Sequence, residues 1–291
     1  MNYDHAYHAG NFADVVKHAV LTRVVEYLKR KEKPFRVIDT HAGAGVYDLS
    51  SEQAQTTGEW RSGIARLRAA TLPENIAALL RPYLDIVDHY NPTEDLTAYP
   101  GSPAIVRQLL RGRDRLTAIE LHPEASFALK TRFSGDFQTR IIQLDGWLAL
   151  GAQVPPKEKR GLVMVDPPFE IDHEFERIHD GLRKAHARWP TGIYAFWYPV
   201  KDFPAIERFH AALAASGIPR ILDAQLMIRS PIHYPRLDGT GLVLVNPPYV
   251  LEEELQVLLP ASHLSEWPAP SSSPSTSASA GSSTCSSPSS T

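Results

Sequence analysis

Arg36-Val37-Ile38-Asp39-Thr40-His41-Ala42-Gly43-Ala44-Gly45 reads as a short apolar strand, an acid at its carboxyl end and a glycine turn. In open α/β sheets, ligands bind at the carboxyl ends of the strands, so this stretch marks both a fold and a site. Gly43 and Gly45 allow close backbone approach to a ligand, and Asp39 can accept hydrogen bonds from it. A dinucleotide fingerprint would need a third glycine where the chain has Asp48, and a phosphate cradle would need a Gly-Lys-Ser/Thr ending that is missing.

Further acids fall at the ends of later apolar runs. Leu116-Thr117-Ala118-Ile119-Glu120 ends in a carboxylate suited to ribose hydroxyls, and Arg140-Ile141-Ile142-Gln143-Leu144-Asp145-Gly146 places Asp145 where it could address an adenine. Leu162-Val163-Met164-Val165 runs into Asp166-Pro167-Pro168-Phe169. Proline has no N–H, so this turn cannot extend a ladder, and it leaves backbone carbonyls free beside the Asp166 carboxylate. Two acceptors with an aromatic face at Phe169 suit a flat exocyclic amine. Asn246-Pro247-Pro248-Tyr249 offers the same chemistry, but it ends the last expected strand, which should run antiparallel and point away from the ligand edge.

Asp39, Glu120, Asp145 and Asp166 in chain order resemble the S-adenosylmethionine-dependent methyltransferases with a Rossmann-like sheet, in the branch that methylates exocyclic amines. The opening His8-Ala9-Gly10-Asn11-Phe12-Ala13-Asp14-Val15-Val16-Lys17-His18 narrows this, since it resembles the J-type large-subunit ribosomal RNA adenine-N6 methyltransferases. Tyr99-Pro100-Gly101-Ser102-Pro103, Glu120-Leu121-His122 and Trp197-Tyr198-Pro199-Val200-Lys201 are similar to that family in order and spacing, to about residue 260. Phe169 departs from the tyrosine that the family often has.

The resemblance implies a cofactor, S-adenosyl-L-methionine, held by His18, Asp39, His41, Gly43, Gly45, Ser102, Glu120, Asp145, Gly146 and Asp166. It also implies that Tyr3, His5 and Lys17 approach the target base beside Asp166, Pro167 and Phe169. The expected fold is an α/β Rossmann-like methyltransferase sheet, mostly parallel with an antiparallel last strand, flanked by helices. The expected reaction is direct methyl transfer to the N6 amine of an adenine in 23S ribosomal RNA, naked or in an assembly intermediate. A DNA adenine or protein glutamine methyltransferase would use the same clamp, and a non-catalytic RNA-binding protein could keep the same fold.

Composition sets the limits. The chain has 291 residues, 43% of them hydrophobic, enough for one large α/β core or two modest ones. A net charge of −3 and a pI near 6.5 argue against indiscriminate polyanion binding, so any RNA surface must be local. Candidate phosphate contacts are Lys29-Arg30-Lys31 with Lys33, the cluster Arg107, Arg111, Arg113 and Arg115, and Lys157, Lys159 and Arg160. The single cysteine, Cys285, suits a reducing cytoplasm, and no run approaches the roughly 18 apolar residues of a membrane span. His5, His8, His18 and His41 lack the spacing and cysteine support of a zinc site, so no metal is expected. A monomer is expected.

Asn11 is placed to cap a helix with Phe12, Val15, Val16, Ala19, Val20, Val24, Val25 and Leu28 at helical spacing. Residues 1–265 read as a methyltransferase domain. Within it, about 50–98 form a small helical insertion that could wall the substrate cleft. Residues 266–291, rich in Ser and Pro, read as a disordered tail.

Overall fold

The computed structural model describes residues 4–229 and 237–259, and the backbone of 264–266. Tyr3 and the Ser/Pro-rich tail lie outside the described residues.

Apolar runs alternate with helical patterns, and the result is three layers. Strands β1 (Arg36–Asp39), β4 (Arg115–Glu120), β5 (Thr139–Gln143), β6 (Gly161–Val165), β7 (Ile193–Val200), β8 (Ile221–Met227), β9 (Gly239–Val245) and β10 (Leu264–Glu266) form one sheet in the order β10-β8-β9-β7-β6-β1-β4-β5. A hairpin of β2 (Val46–Asp48) and β3 (Ala98–Pro100) stands apart. β1 pairs in parallel with β4 on one side and β6 on the other, so the chain reverses its direction of growth there. That crevice is where an open α/β sheet binds its ligand.

Period-two alternation gives each strand two apolar faces. Val37, Leu116, Leu162 and Met164 join one core, while Ile38, Ile119, Val163 and Val165 join the other. The first core is covered by α1 (Phe12–Lys29), α6 (Ser102–Leu109) and α7 (Pro123–Arg132). The second is covered by α8 (Gly146–Ala152), α9 (Glu174–Arg188) and α10 (Phe203–Ala215). Asn11 caps α1 as its side chain implied, accepting from the Asp14 N–H at 3.0 Å.

The antiparallel finish is more elaborate than the sequence suggested. β9 is inserted between β7 and β8 and runs antiparallel to both, and β10 adds an antiparallel edge beside β8. Asn246 follows β9 and donates to the Pro190 and Gly192 carbonyls at 2.9 and 2.8 Å. Those carbonyls precede β7, so this second Pro-Pro turn lies on the amino edge of the parallel strands.

The insertion comprises α2 (Glu52–Thr57), α3 (Glu59–Ser62), α4 (Ile64–Ala69) and α5 (Glu74–Tyr90), and it leaves and rejoins the chain through the β2–β3 hairpin. Leu80, Tyr83, Ile86 and Val87 of α5 are buried in the first core, where α5 meets α1 and α11 (Leu251–Leu258). It braces the amino-terminal helix through α5, and α2 packs on the turn before that helix.

Candidate active site

The carboxyl ends of β1, β4, β5 and β6 open onto a cavity of about 570 Å³, a size suited to a nucleoside-bearing ligand. Each carboxylate there has a different local task. Glu120 is held by two backbone donors: its Oε2 accepts from the Gly43 N–H and its Oε1 from the His122 N–H, both at 2.7 Å. Gly43 sits at φ +61°, and an added Cβ would fall 2.0 Å from the Tyr47 hydroxyl. Only glycine lets the turn deliver this N–H. Asp145 caps α8 through Oδ1, at 2.7 Å from the Trp147 N, while its Oδ2 lies 3.8 Å from Arg177. At Gly146 a Cβ would meet the Thr40 carbonyl at 2.3 Å and the His41 ring at 2.8 Å, so this corner closes only around glycine.

Asp39 is fully buried and does not face the cavity. It accepts from the Ser102 hydroxyl at 2.6 Å and the His41 N–H at 3.3 Å, and burial pushes its pKa up to about 7. It therefore aligns Ser102 and His41, both of which line the cavity. Gly45 also stands behind the wall, where its carbonyl accepts from the Gly101 N–H at 2.9 Å. His41 meets the Trp147 ring edge-on at 5.5 Å, and burial lowers its pKa to about 4. His18 shares a 2.7 Å hydrogen bond with the Tyr99 hydroxyl and is lowered by burial to about 3, so both imidazoles are neutral.

The far wall carries Asp166, which immediately follows β6. Its Oδ2 accepts from the Lys17 ammonium of α1, and that ammonium also lies 2.8 Å from Asp14 Oδ1. Burial alone would lower the lysine, but the two carboxylates outweigh it and hold its pKa above the usual range. Asp14 likewise stays well below the carboxylate range, because His5 and Lys17 overcome the cost of burial. His5 reaches Asp14 at 2.9 Å and lines the cavity.

Lys17, His18, His5, His41, Gly43, Ser102, Glu120, Asp145, Gly146, Asp166 and Pro167 thus line one space. Phe169 does not. With φ +51° its ring turns into an aromatic cluster, 5.7 Å from Trp197 and 5.1 Å from Phe175, while Pro168 and Ile171 border the cavity. No residue from 50 to 98 lines it either; Tyr47 of β2 supplies that side. Sequence reasoning missed Tyr47, Trp147, Glu174 and Arg177. Arg177 stacks over Trp147 at 5.1 Å and pairs with Glu174 at 2.7 Å. Their only signal was position: each lies in the segment that follows one of the acid-ended strands.

The basic clusters lie elsewhere. Arg111 donates to the Lys29 and Lys31 carbonyls at 2.9 and 3.0 Å, and Arg160 to the Lys33 carbonyl at 2.8 Å. Both therefore lock the loop that enters β1, on the edge opposite the cavity. Arg107 is paired with Asp136 and Arg113 with Glu32. These cations brace the scaffold and do not ring the site.

A family model described as RsmJ, ribosomal RNA large subunit methyltransferase D, RlmJ, matches residues 32–272. The chain belongs to this family. Ribosomal RNA large subunit methyltransferase J of Escherichia coli K12 is 40% identical over 269 residues, covering 92% of this chain and 95% of that protein. Its namesake from Haemophilus influenzae is 40% identical over 262 residues, covering 89% and 92%. A crystal structure of a Legionella pneumophila protein matches with a TM-score of 0.79 at 34% identity, over 87% of this chain and 92% of that one. Membership of the RlmJ family makes the chain an enzyme of the ribosomal RNA methyltransferase class. Among the described residues no helix is long and apolar enough to cross a membrane.

Proposed function

We propose that this protein transfers the methyl group of S-adenosylmethionine to the N6 amine of one adenine in 23S ribosomal RNA, acting as a cytoplasmic monomer. One observation carries the reading: Asp166, on its Pro-Pro turn, shares a single cavity with the Glu120, Gly43, Asp145 and Gly146 wall.

The residues present fit the cofactor. Glu120, fixed by two N–H donors, keeps lone pairs for a ribose diol. Leu121 and Trp147 line the cavity beside Asp145 and would flank a flat ring, with Asp145 Oδ2 as an acceptor for its amine. His18 and Ser102 border the part nearest Asp166. When bound, the cofactor supplies an electrophilic methyl group on a sulfonium.

The protein's own part is to position and to stabilise charge. An adenine amine has its lone pair delocalised into the ring, so the base must leave its stack and be held with the nitrogen in line. Asp166 and the Pro167 carbonyl accept the two N–H bonds, which localises the lone pair. As nitrogen becomes cationic, the Asp166 carboxylate lowers the energy of that charge. Pro168, which lines the cavity next to Pro167, offers the apolar face for the base, while the Phe169 ring stays packed on Trp197 and Phe175 behind it.

Mass spectrometry of ribosomal RNA nucleosides from cells with and without this gene is expected to show loss of one N6-methyladenosine, mappable to a single position. An unchanged amount would sink the reading. Glu120→Ala is expected to weaken S-adenosylhomocysteine binding by about 1–3 kcal/mol, since two buried hydroxyls lose their acceptor. Calorimetric titration reads this directly, and parent-like affinity would show that the ribose lies elsewhere.

A further inference from the structure

The charges around Lys17 do not match what a simple ion pair with Asp166 would need. Lys17 is 3% exposed and touches two carboxylates, Asp166 and Asp14. Asp14 is 1% exposed, and its Oδ2 also accepts from the Gly10 N–H and meets His5 Nε2, both at 2.9 Å. The other titratable neighbours are engaged elsewhere, His18 with Tyr99 and Asp39 with Ser102. Lys17 and Asp166 alone would sum to zero, whereas the trio with Asp14 carries one negative charge whenever the His5 imidazole against Asp14 is neutral. A carboxylate cancelled by its own lysine has little left to offset charge on an amine, and in a buried site the difference is not screened by water.

We propose that Asp14 is a positioning residue for methyl transfer: it carries the charge of Lys17, so that Lys17 fixes Asp166 without neutralising it. Through His5 and Gly10 it ties that arrangement to the seating of the amino-terminal turn. The inference rests on Asp166 being the partner of the target amine.

The test compares the parent with Asp14→Asn, Asp14→Asn/Lys17→Met and Asp166→Ala, by single-turnover methylation of ribosomal RNA at saturating cofactor, S-adenosylhomocysteine titration and melting curves. Asp14→Asn is expected to slow transfer by about tenfold or more, a fraction of what losing a whole preorganised partner costs, with cofactor affinity within about twofold of the parent. The double variant restores the site's single negative charge, and it is expected to run at least about tenfold faster than Asp14→Asn. A merely structural Asp14 would lower the melting temperature and leave the rate per folded molecule alone, and the second substitution would then restore nothing. Either result overturns the proposal. Should Asp14→Asn fail to fold, the double variant, free of both buried charges, is compared with Asp166→Ala, and equal rates overturn it. A parent that neither binds S-adenosylhomocysteine nor methylates RNA would instead remove the reading beneath it.

Discussion

Asp166→Ala is expected to slow methyl transfer by about 10²–10³ while S-adenosylhomocysteine affinity stays close to the parent's. The size follows from the position: Asp166 lines the cavity at the end of β6, away from Glu120 and Asp145, so under the proposed reading its loss would remove a partner of the amine and leave the cofactor wall unchanged. Asn246→Ala is the matched control, because it alters the other Pro-Pro turn. Asn246 holds two carbonyls at the start of β7, on the opposite sheet edge, and its loss should lower the melting temperature more than the rate per folded molecule. Single-turnover methylation with melting curves for both variants separates them. An active Asp166→Ala beside a well-folded but inactive Asn246→Ala would move the clamp to Asn246.

Lys17→Met should produce the largest loss of stability. Removing one member of a buried charge pair costs about 3–5 kcal/mol, because the partner is left uncompensated. Here two carboxylates lose their cation at once. The value should fall near the lower figure, since His5 and the Gly10 N–H still serve Asp14. At about 2–4 °C per kcal/mol for a chain of this size, a fall in melting temperature of about 6–12 °C is expected. A shift under 2 °C would mean that Asp14 takes up a proton or a new partner at little cost. Because folded Asp14 is held well below its usual pKa, its share of stability is present above the unfolded carboxylate range near pH 4 and fades as the pH falls through the lower folded value. The parent should therefore lose more stability than Lys17→Met on acidification below about pH 4.

Several of these features were legible in the chain because short-range chemistry fixes them. A short strand-like run followed by an acid places a carboxylate at or just beyond a strand end, and that pattern located Asp39, Glu120, Asp145 and Asp166, although β5 before Asp145 is only partly buried. Asn11 announced its helix because a side-chain oxygen there meets a free N–H three residues on. What sequence could not supply was direction and distance. Asp39 ends its strand as the others do, but its side chain turns inward to Ser102, and only the seating of the neighbouring strands decides that. Phe169 lies in a left-handed conformation that nothing in Asp-Pro-Pro-Phe requires. Arg111 and Arg160 read as free cations, yet both donate to backbone carbonyls about 80 to 130 residues away in the chain, and Arg111 is also paired with Asp114. A charge in a sequence carries no mark of whether it is already spent.

The pairing of Lys17 with Asp166 spans 149 residues, and that of Arg23 with Glu254 spans 231. Both cations ride on α1, which is made well before either partner. During synthesis that helix must wait, its lysine without Asp166 until β6 has emerged and its arginine without Glu254 until nearly the whole folded region has been made. A nascent chain arrested before residue 166 therefore holds Lys17 with Asp14 as its carboxylate partner and Asp166 still to come. A helix made early is thus completed late, its lysine by a turn near the middle of the chain and its arginine by the last helix of the described region.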